Sequence, residues 1–136
     1  MPCENRVRKL SSIFGRINTQ WNEDQLRNRL DLTINDRVAD WYIHFETCRH
    51  AVVEVKCRRK IENALNQLEN TIRKLLEKGY PVNIAIIITE GIDPFEKRKY
   101  IIVNNVLYEK RGKSKKEVKF RINNRVIPVH VYYIRN

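Results

Sequence analysis

Apolar residues recur at helical spacing in three segments of the chain. The strongest pattern covers residues 59–78, where apolar side chains step by four and three positions before Gly79 supplies a stop. Residues 4–17 show the same spacing over a shorter length. Asn22 can cap a helix whose first turn is acidic, which the helix dipole favours. The pattern therefore predicts helices over 4–17, after Asn22 and over 59–78.

The remaining apolar runs have the patterns of strands. Alternation over residues 37–46, a polar turn and a second β-rich run over 51–56 predict a hairpin. Residues 82–89 are almost continuously apolar, which is typical of a strand buried on both faces. Because the helix over 59–78 joins the hairpin to this strand, the connection is a crossover, and it predicts a parallel pair beside the antiparallel one. Three further β-rich runs follow, at 100–108, 118–122 and 126–134.

Composition favours one domain over residues 1–136 and excludes several classes of protein. The three cysteines form no C-x-x-C pair, which argues against a disulfide scaffold, a zinc ribbon or a four-cysteine iron–sulfur site. No apolar run approaches the roughly 20 residues of a membrane span. Residues 1–9 are charged and lack the apolar segment of a signal peptide. We therefore expect a cytoplasmic protein without a membrane partner, in the host cytoplasm if the source is viral.

Charge divides the chain into two unequal parts. The net charge is +11, yet residues 1–96 hold 15 basic and 14 acidic residues, whereas residues 97–136 hold 12 basic and 2 acidic residues. An excess of this kind raises the expectation of a polyanionic partner, but by itself it does not separate DNA from RNA or from an acidic membrane surface. The densest stretch is either a solvated hairpin tip or an arm that contacts phosphates; its basic residues are Lys110, Arg111, Lys113, Lys115, Lys116 and Lys119.

Three charged residues stand at positions where the predicted hairpin should be apolar. Asp40 interrupts the first strand, and Glu54 and Lys56 share one face of the second, because side chains alternate along a strand. A turn near residues 47–50 brings Asp40 beside Glu54. Burying two carboxylates together is unfavourable unless a cation neutralises them, and a divalent ion with oxygen ligands is one such cation. An ion pair of Lys56 with either carboxylate at a sheet edge is the alternative.

These residues resemble a known enzyme family. The segments Arg37-Val38-Ala39-Asp40-Trp41-Tyr42-Ile43 and Val52-Val53-Glu54-Val55-Lys56 look like the core motif of the PD-(D/E)xK nuclease superfamily, in its RecB-like and λ-exonuclease-like branch. Residues 64–68 are similar to the glutamine-containing helix motif of that branch. The resemblance implies an α/β fold with a restriction-endonuclease-like core, in which helices flank a central mixed β-sheet. Residues 22–90 would form the catalytic core, and residues 97–136 would add basic C-terminal β-strands.

The resemblance also implies a role for each matching residue. Asp40 and Glu54 would bind Mg²⁺ or Mn²⁺ with the main-chain carbonyl of Val55, and Lys56 would be the catalytic lysine. Gln67 would contact a substrate phosphate or the attacking water. Glu23 is the best match to an acid that many members carry on the preceding helix, with Asp24 and Glu4 as rivals.

Two positions depart from the family pattern. Ala39 stands where a proline often precedes the aspartate, and Thr71 replaces a tyrosine that often follows the glutamine. The change at Thr71 puts substrate contacts from that helix in question, but it leaves the metal site untouched. Directly after the active strand, the basic residues Arg58, Arg59 and Lys60 either anchor phosphates of the scissile strand or form a solvated start of the helix.

The sequence therefore predicts a Mg²⁺-dependent deoxyribonuclease in which Lys56 assists the attacking water. A non-catalytic nucleic-acid-binding module on the same fold is the alternative, and a basic protein-binding domain is a third hypothesis. The sequence leaves open whether the enzyme is an endonuclease or an exonuclease and whether its substrate is DNA or RNA. It also leaves open whether the protein forms a homodimer. The small size suits a viral or archaeal source.

Overall fold

A computed structural model describes residues 3–56 and 60–134, with the backbone alone for residues 3–6. Within these residues the helices are α1 (Ser11–Phe14), α2 (Glu23–Arg29) and α3 (Ile61–Glu77), and two 3-10 helices cover Cys3–Leu10 and Glu96–Arg98. The strands are β1 (Ile17–Asn22), β2 (Trp41–Phe45), β3 (His50–Lys56), β4 (Ile84–Thr89), β5 (Tyr100–Val103), β6 (Val106–Arg111), β7 (Ser114–Glu117), β8 (Lys119–Ile122) and β9 (Arg125–Tyr133).

The strands form one large mixed sheet in the order β1-β2-β3-β4-β9-β6-β5, with β7 paired to β6 and β8 paired to β9. β2 and β3 are the predicted antiparallel hairpin, and β3, β4 and β9 run parallel to one another. Helix α3 provides the crossover from β3 to β4, as the order of the apolar patterns predicted. The predicted α/β class and the central mixed sheet are confirmed.

Helices and turns cover both faces of the sheet. Helix α3 buries the stripe Ala64, Leu68, Ile72 and Leu75 against the face that also carries Tyr42, Val52 and Ile87. The N-terminal helical segment covers the opposite face, where Val7, Leu10 and Phe14 pack on Ile43, Phe45, Val53 and Ile86. Every residue of β4 is buried because this central strand is covered on both sides. Among the described residues, no helix has the length and apolar character that a membrane span requires.

The predicted helix over 4–17 is wrong only in its last three residues. The helical segment ends at Phe14, and Gly15 then takes φ +97°, a left-handed conformation that glycine adopts without strain. A Cβ at Gly15 would lie 2.9 Å from Thr47 Cγ2, so the close approach to the β2–β3 turn also favours glycine. The chain then continues as β1, whose backbone pairs with β2. The helix after Asn22 is confirmed, with a reciprocal capping box between Asn22 and Gln25.

The C-terminal strands are shorter and more numerous than predicted. The run 100–108 is two strands, β5 and β6, because Asn104 and Asn105 take φ 51° and 65° and form a tight turn. Asn123 and Asn124 make the same kind of turn between β8 and β9, where a turn was predicted. Strand β7, Ser114–Glu117, was not predicted since its residues are polar and carry no apolar alternation.

Candidate active site

The β2–β3 hairpin brings Asp40 and Glu54 together at one end of the sheet. Its register pairs Trp41 with Val53, so Asp40, which directly precedes β2, lies opposite Glu54. The backbone N–H of Asp40 donates to Glu54 Oε1 at 3.2 Å, and the N–H of Val55 donates to Asp40 Oδ2 at 2.7 Å. Each carboxylate is therefore held by the main chain of the opposing segment. The juxtaposition that the sequence predicted is confirmed.

Lys56 completes a compact charged group with these two acids. Its Nζ lies 3.0 Å from Glu54 Oε2, and both side chains belong to the face of β3 that α3 covers. The Glu54 side chain is 1% exposed, whereas the Lys56 side chain is 28% exposed. The lysine therefore connects a fully buried carboxylate with the solvent-accessible rim of the site.

Burial changes the proton affinity of both acids. Burial, together with the neighbouring Asp40 carboxylate, raises the pKa of Glu54 to about 8, and Lys56 offsets part of that shift. Burial also raises the pKa of Asp40, which the N–H of Val55 partly opposes. At neutral pH the pair therefore holds a proton in addition to its contact with Lys56. A divalent cation between the carboxylates can take the place of that proton, because it stabilises the ionised form of both.

The donor set fits a hard cation that uses few protein ligands. Among the residues with described positions, no group of three or more His, Cys, Asp or Glu is arranged to hold a metal ion. Mg²⁺ commonly takes one or two carboxylates and completes its shell with water and phosphate oxygens, so Asp40 and Glu54 suffice for such an ion. The proposed ligation by the Val55 carbonyl stays a prediction.

Glu23 lies near this group without joining it directly. Its carboxylate forms an ion pair with Arg27 on the next turn of α2. Its negative charge is nevertheless close enough to contribute to the raised pKa of Asp40. Glu23 is therefore close enough to influence Asp40 electrostatically, while its direct role in catalysis stays a prediction.

Gln67 and Thr71 hold the segment that leads into Asp40. The side-chain amide of Gln67 donates to the carbonyl of Val38 at 3.2 Å. The Thr71 hydroxyl accepts the N–H of Ala39 at 2.8 Å and donates to the carbonyl of Gln67 at 2.9 Å. Helix α3 thus fixes the backbone on the N-terminal side of Asp40 through two polar side chains. The predicted contact of Gln67 with substrate stays a prediction.

Sequence reasoning missed the positioning role of Thr71. This position was treated only as a departure from the family pattern, although a threonine on the apolar stripe of α3 is itself a signal. A buried hydroxyl requires a hydrogen-bond partner, and here the partner is the backbone beside a metal-binding candidate.

The start of α3 is capped by a residue that the sequence did not single out. Both carboxylate oxygens of Glu96 accept backbone N–H groups, from Ile61 and Glu62, each at 2.9 Å. A protein carboxylate therefore occupies the position where a helix N-terminus would otherwise bind a phosphate. Lys60 is exposed at this end of α3 and makes no side-chain cap. Arg58 and Arg59 lie outside the described residues, so their predicted phosphate contacts stay predictions.

The basic stretch of residues 110–119 forms an exposed hairpin. Its six cationic side chains are all exposed on β6, β7, their turn and the start of β8. Arg111 pairs with Glu109, Lys119 with Glu117, and the Lys115 ammonium lies 4.8 Å from the centre of the Tyr108 ring. The stretch is therefore exposed to solvent, which fits both alternatives, and its contact with nucleic acid stays a prediction.

The basic hairpin is connected to the start of α3. The Lys110 N–H donates to the carbonyl of Lys99 and its ammonium donates to the carbonyl of Lys97, both at 2.7 Å. Lys99 in turn pairs with Glu62 in the first turn of α3, at 2.7 Å. These contacts link Lys110, in the basic hairpin, through Lys99 to the first turn of α3.

Comparison with known proteins identifies no relative of this chain. The chain matches no protein-family model, no curated protein and no solved structure. The support for a function therefore comes from the local geometry of Asp40, Glu54 and Lys56 and from the distribution of charge around them.

Proposed function

We propose that the protein is a metal-dependent nuclease that hydrolyses phosphodiester bonds in DNA, with Mg²⁺ as the ion. The observation that carries this proposal is the buried Asp40–Glu54 pair with Lys56 beside it. A buried pair of acids is unfavourable for folding unless something neutralises it, and when both acids are ionised the single lysine leaves one negative charge uncompensated. Such an arrangement is typical of sites that bind a cation and perform chemistry.

Each residue of the group has a distinct part in the proposed reaction. Asp40 and Glu54 would hold the ion, which when bound polarises a phosphate and lowers the pKa of a water molecule. The ammonium of Lys56 can orient the attacking water or stabilise the negative charge that develops on the phosphate oxygens. Thr71 and Gln67 keep the backbone beside Asp40 in place, so that the carboxylates need no rearrangement before reaction.

The basic hairpin supports DNA as the substrate. Exposed lysines and arginines bind the phosphate backbone without reading sequence, and such binding weakens steeply with salt. The hairpin residues Lys110 to Lys119 are the main source of this potential, and Lys110 is linked through Lys99 to the start of α3.

A cleavage assay tests the proposal directly. The purified protein is incubated with linear duplex, single-stranded and circular DNA, and with RNA, in Mg²⁺, in Mn²⁺ and in EDTA. We expect cleavage of DNA with either metal and none in EDTA. Glu54→Ala and Lys56→Ala should each abolish most of the activity, whereas Glu46→Ala, an exposed acid in the turn of the same hairpin, should not. Equal cleavage by Glu54→Ala, Lys56→Ala and wild type would refute the proposal.

A non-catalytic nucleic-acid-binding module is the second candidate. It is favoured by one observation: Lys56 already contacts Glu54 at 3.0 Å, and a lysine can stabilise a buried acid without any metal. This alternative predicts salt-sensitive DNA binding by wild type, with no cleavage in Mg²⁺ or Mn²⁺. The same assay, run beside a binding titration, separates the two candidates.

A further inference from the structure

The segment between β4 and β5 exposes one large aromatic side chain. Phe95 is 79% exposed, whereas Ile92 three residues earlier is 7% exposed and packs into the core. Among the large hydrophobic residues in the described ranges, only Ile34, at 81%, is more exposed. A single exposed apolar side chain is common on protein surfaces, so the position of Phe95 in the fold and its charged surroundings decide whether it has a ligand.

The backbone around Phe95 is held on both sides, so its ring is presented from a fixed position. The N–H of Phe95 donates to Asp93 Oδ1 at 2.9 Å, and the N–H of Lys97 donates to the carbonyl of Asp93 at 2.9 Å. The next residue, Glu96, is anchored on the first two N–H groups of α3. These contacts order the segment without using the ring, which reduces the entropy lost when a ligand binds.

Phe95 belongs to the same edge of the sheet as the proposed catalytic group. Strands β3 and β4 are parallel, and their register places Thr89 opposite Lys56. The segment that carries Phe95 leaves this carboxyl end of β4 and is tied through Glu96 to the start of α3. Open α/β sheets bind their ligands at the carboxyl ends of parallel strands, and the segment that carries this ring leaves one of those ends.

The charge around Phe95 indicates the chemistry of its ligand. Lys97, Arg98 and Lys99 follow in sequence and are exposed, and the Arg98 guanidinium carbon lies 6.0 Å from the centre of the Phe95 ring. A ligand with a flat apolar surface and a nearby negative charge complements this arrangement, and a nucleobase with its phosphate has both. A second copy of the chain is disfavoured, because its net charge of +11 would repel this basic surface.

We propose that Phe95 stacks on an unpaired nucleobase of the strand bound at the Asp40–Glu54 site, while Lys97 and Arg98 contact the adjacent phosphates. This inference rests on the proposed function in taking nucleic acid as the ligand. A base inside a duplex has both faces covered by its neighbours, so only a single-stranded or frayed segment can offer a face to the ring. Phe95 therefore directs the protein towards single strands and strand ends.

Binding of short DNA to Phe95→Ala, Phe95→Trp and wild type tests the inference. The probes are a fluorescein-labelled 12-nucleotide single strand and the matching blunt duplex, titrated by anisotropy in EDTA so that cleavage does not interfere. Aromatic stacking contributes about tenfold or more to single-strand affinity per base. We expect Phe95→Ala to lose about tenfold on the single strand and little on the duplex, and Phe95→Trp to retain the affinity. Ile34→Ala, which removes an equally exposed apolar side chain from the α2–β2 connection, should bind as wild type.

The outcomes separate this inference from the proposed function. If Phe95→Ala binds the single strand as tightly as wild type does, the proposed role of Phe95 is overturned, whether or not the protein cleaves DNA. Loss of a dimer in Phe95→Ala, measured by sedimentation, would assign the ring to self-association and overturn the role as well. Binding that depends on Phe95 without any metal-dependent cleavage would sustain the stacking role and refute the nuclease proposal. Single-strand cleavage that falls in Phe95→Ala in step with affinity would support both.

Discussion

The raised pKa of Glu54 makes the stability of the metal-free protein depend on pH in an unusual direction. Burial, with Asp40 beside it, raises this pKa from an ordinary value of 4.5 to about 8. In the unfolded chain the group ionises near the ordinary value, so between pH 4.5 and 8 the unfolded state releases a proton that the folded state keeps. The free energy of unfolding therefore falls as pH rises through this window, whereas carboxylates with lowered pKa values have the opposite effect.

The size of the effect follows from the two pKa values. Each unit of difference corresponds to about 1.4 kcal/mol, and between pH 5 and pH 8 the single group accounts for a loss on the order of 3 kcal/mol. Glu54→Gln keeps the shape and the oxygen that accepts the Asp40 N–H, but it cannot ionise. We expect the stability of wild type relative to Glu54→Gln to fall by that amount across the window.

Urea unfolding at half-unit steps from pH 5 to pH 8, in EDTA, measures this difference. Titrating groups that do not interact with Glu54 cancel in the comparison, and Glu46→Gln serves as the exposed control that should track wild type at every pH. Saturating Mg²⁺ at pH 8 should stabilise wild type, because an ion bound to the native carboxylates shifts the folding equilibrium, and should leave Glu54→Gln almost unchanged. A constant difference between wild type and Glu54→Gln from pH 5 to pH 8 would refute the assignment of the buried proton to this group.

Three further experiments test other parts of the molecule. Thr71→Val leaves the buried N–H of Ala39 without an acceptor and should lower the free energy of unfolding by about 1–3 kcal/mol, whereas Thr71→Ser should be close to wild type. Equal urea midpoints for wild type, Thr71→Val and Thr71→Ser would contradict this role. Glu96→Ala removes the cap of α3 and should lower the free energy of unfolding by about 1 kcal/mol, measured by urea unfolding. Unchanged stability would show that the cap does not stabilise the helix. Replacing Lys113 and Lys116 together by glutamine should reduce the slope of log affinity against log salt for duplex DNA by about 1.8, and an unchanged slope would show that these lysines contact no phosphates.

The sequence predicted the parts of the candidate site that depend on neighbours along the chain. The hairpin that joins Asp40 to Glu54 closes over a short turn, and the step from Glu54 to Lys56 follows from the alternation of a strand. Helix α3 and the buried strand β4 were predicted for the same reason, since the helix has a strong apolar period that ends at a clear stop and the strand is a continuous apolar run. Their order along the chain then dictated the parallel pairing of β3 and β4.

Only the tertiary structure decided the features that join distant residues. Strand β1 forms because β2 offers its backbone as a partner, although its own residues suggested a continuing helix and a loop. Thr71 meets Ala39, and Glu96 meets Ile61, across more than thirty residues in each case, and no local pattern specifies such contacts. The pKa of Glu54 likewise follows from the packing that buries it. Local periodicity sets which segments become helices and strands, whereas the environment of each side chain depends on which segments the fold brings against it.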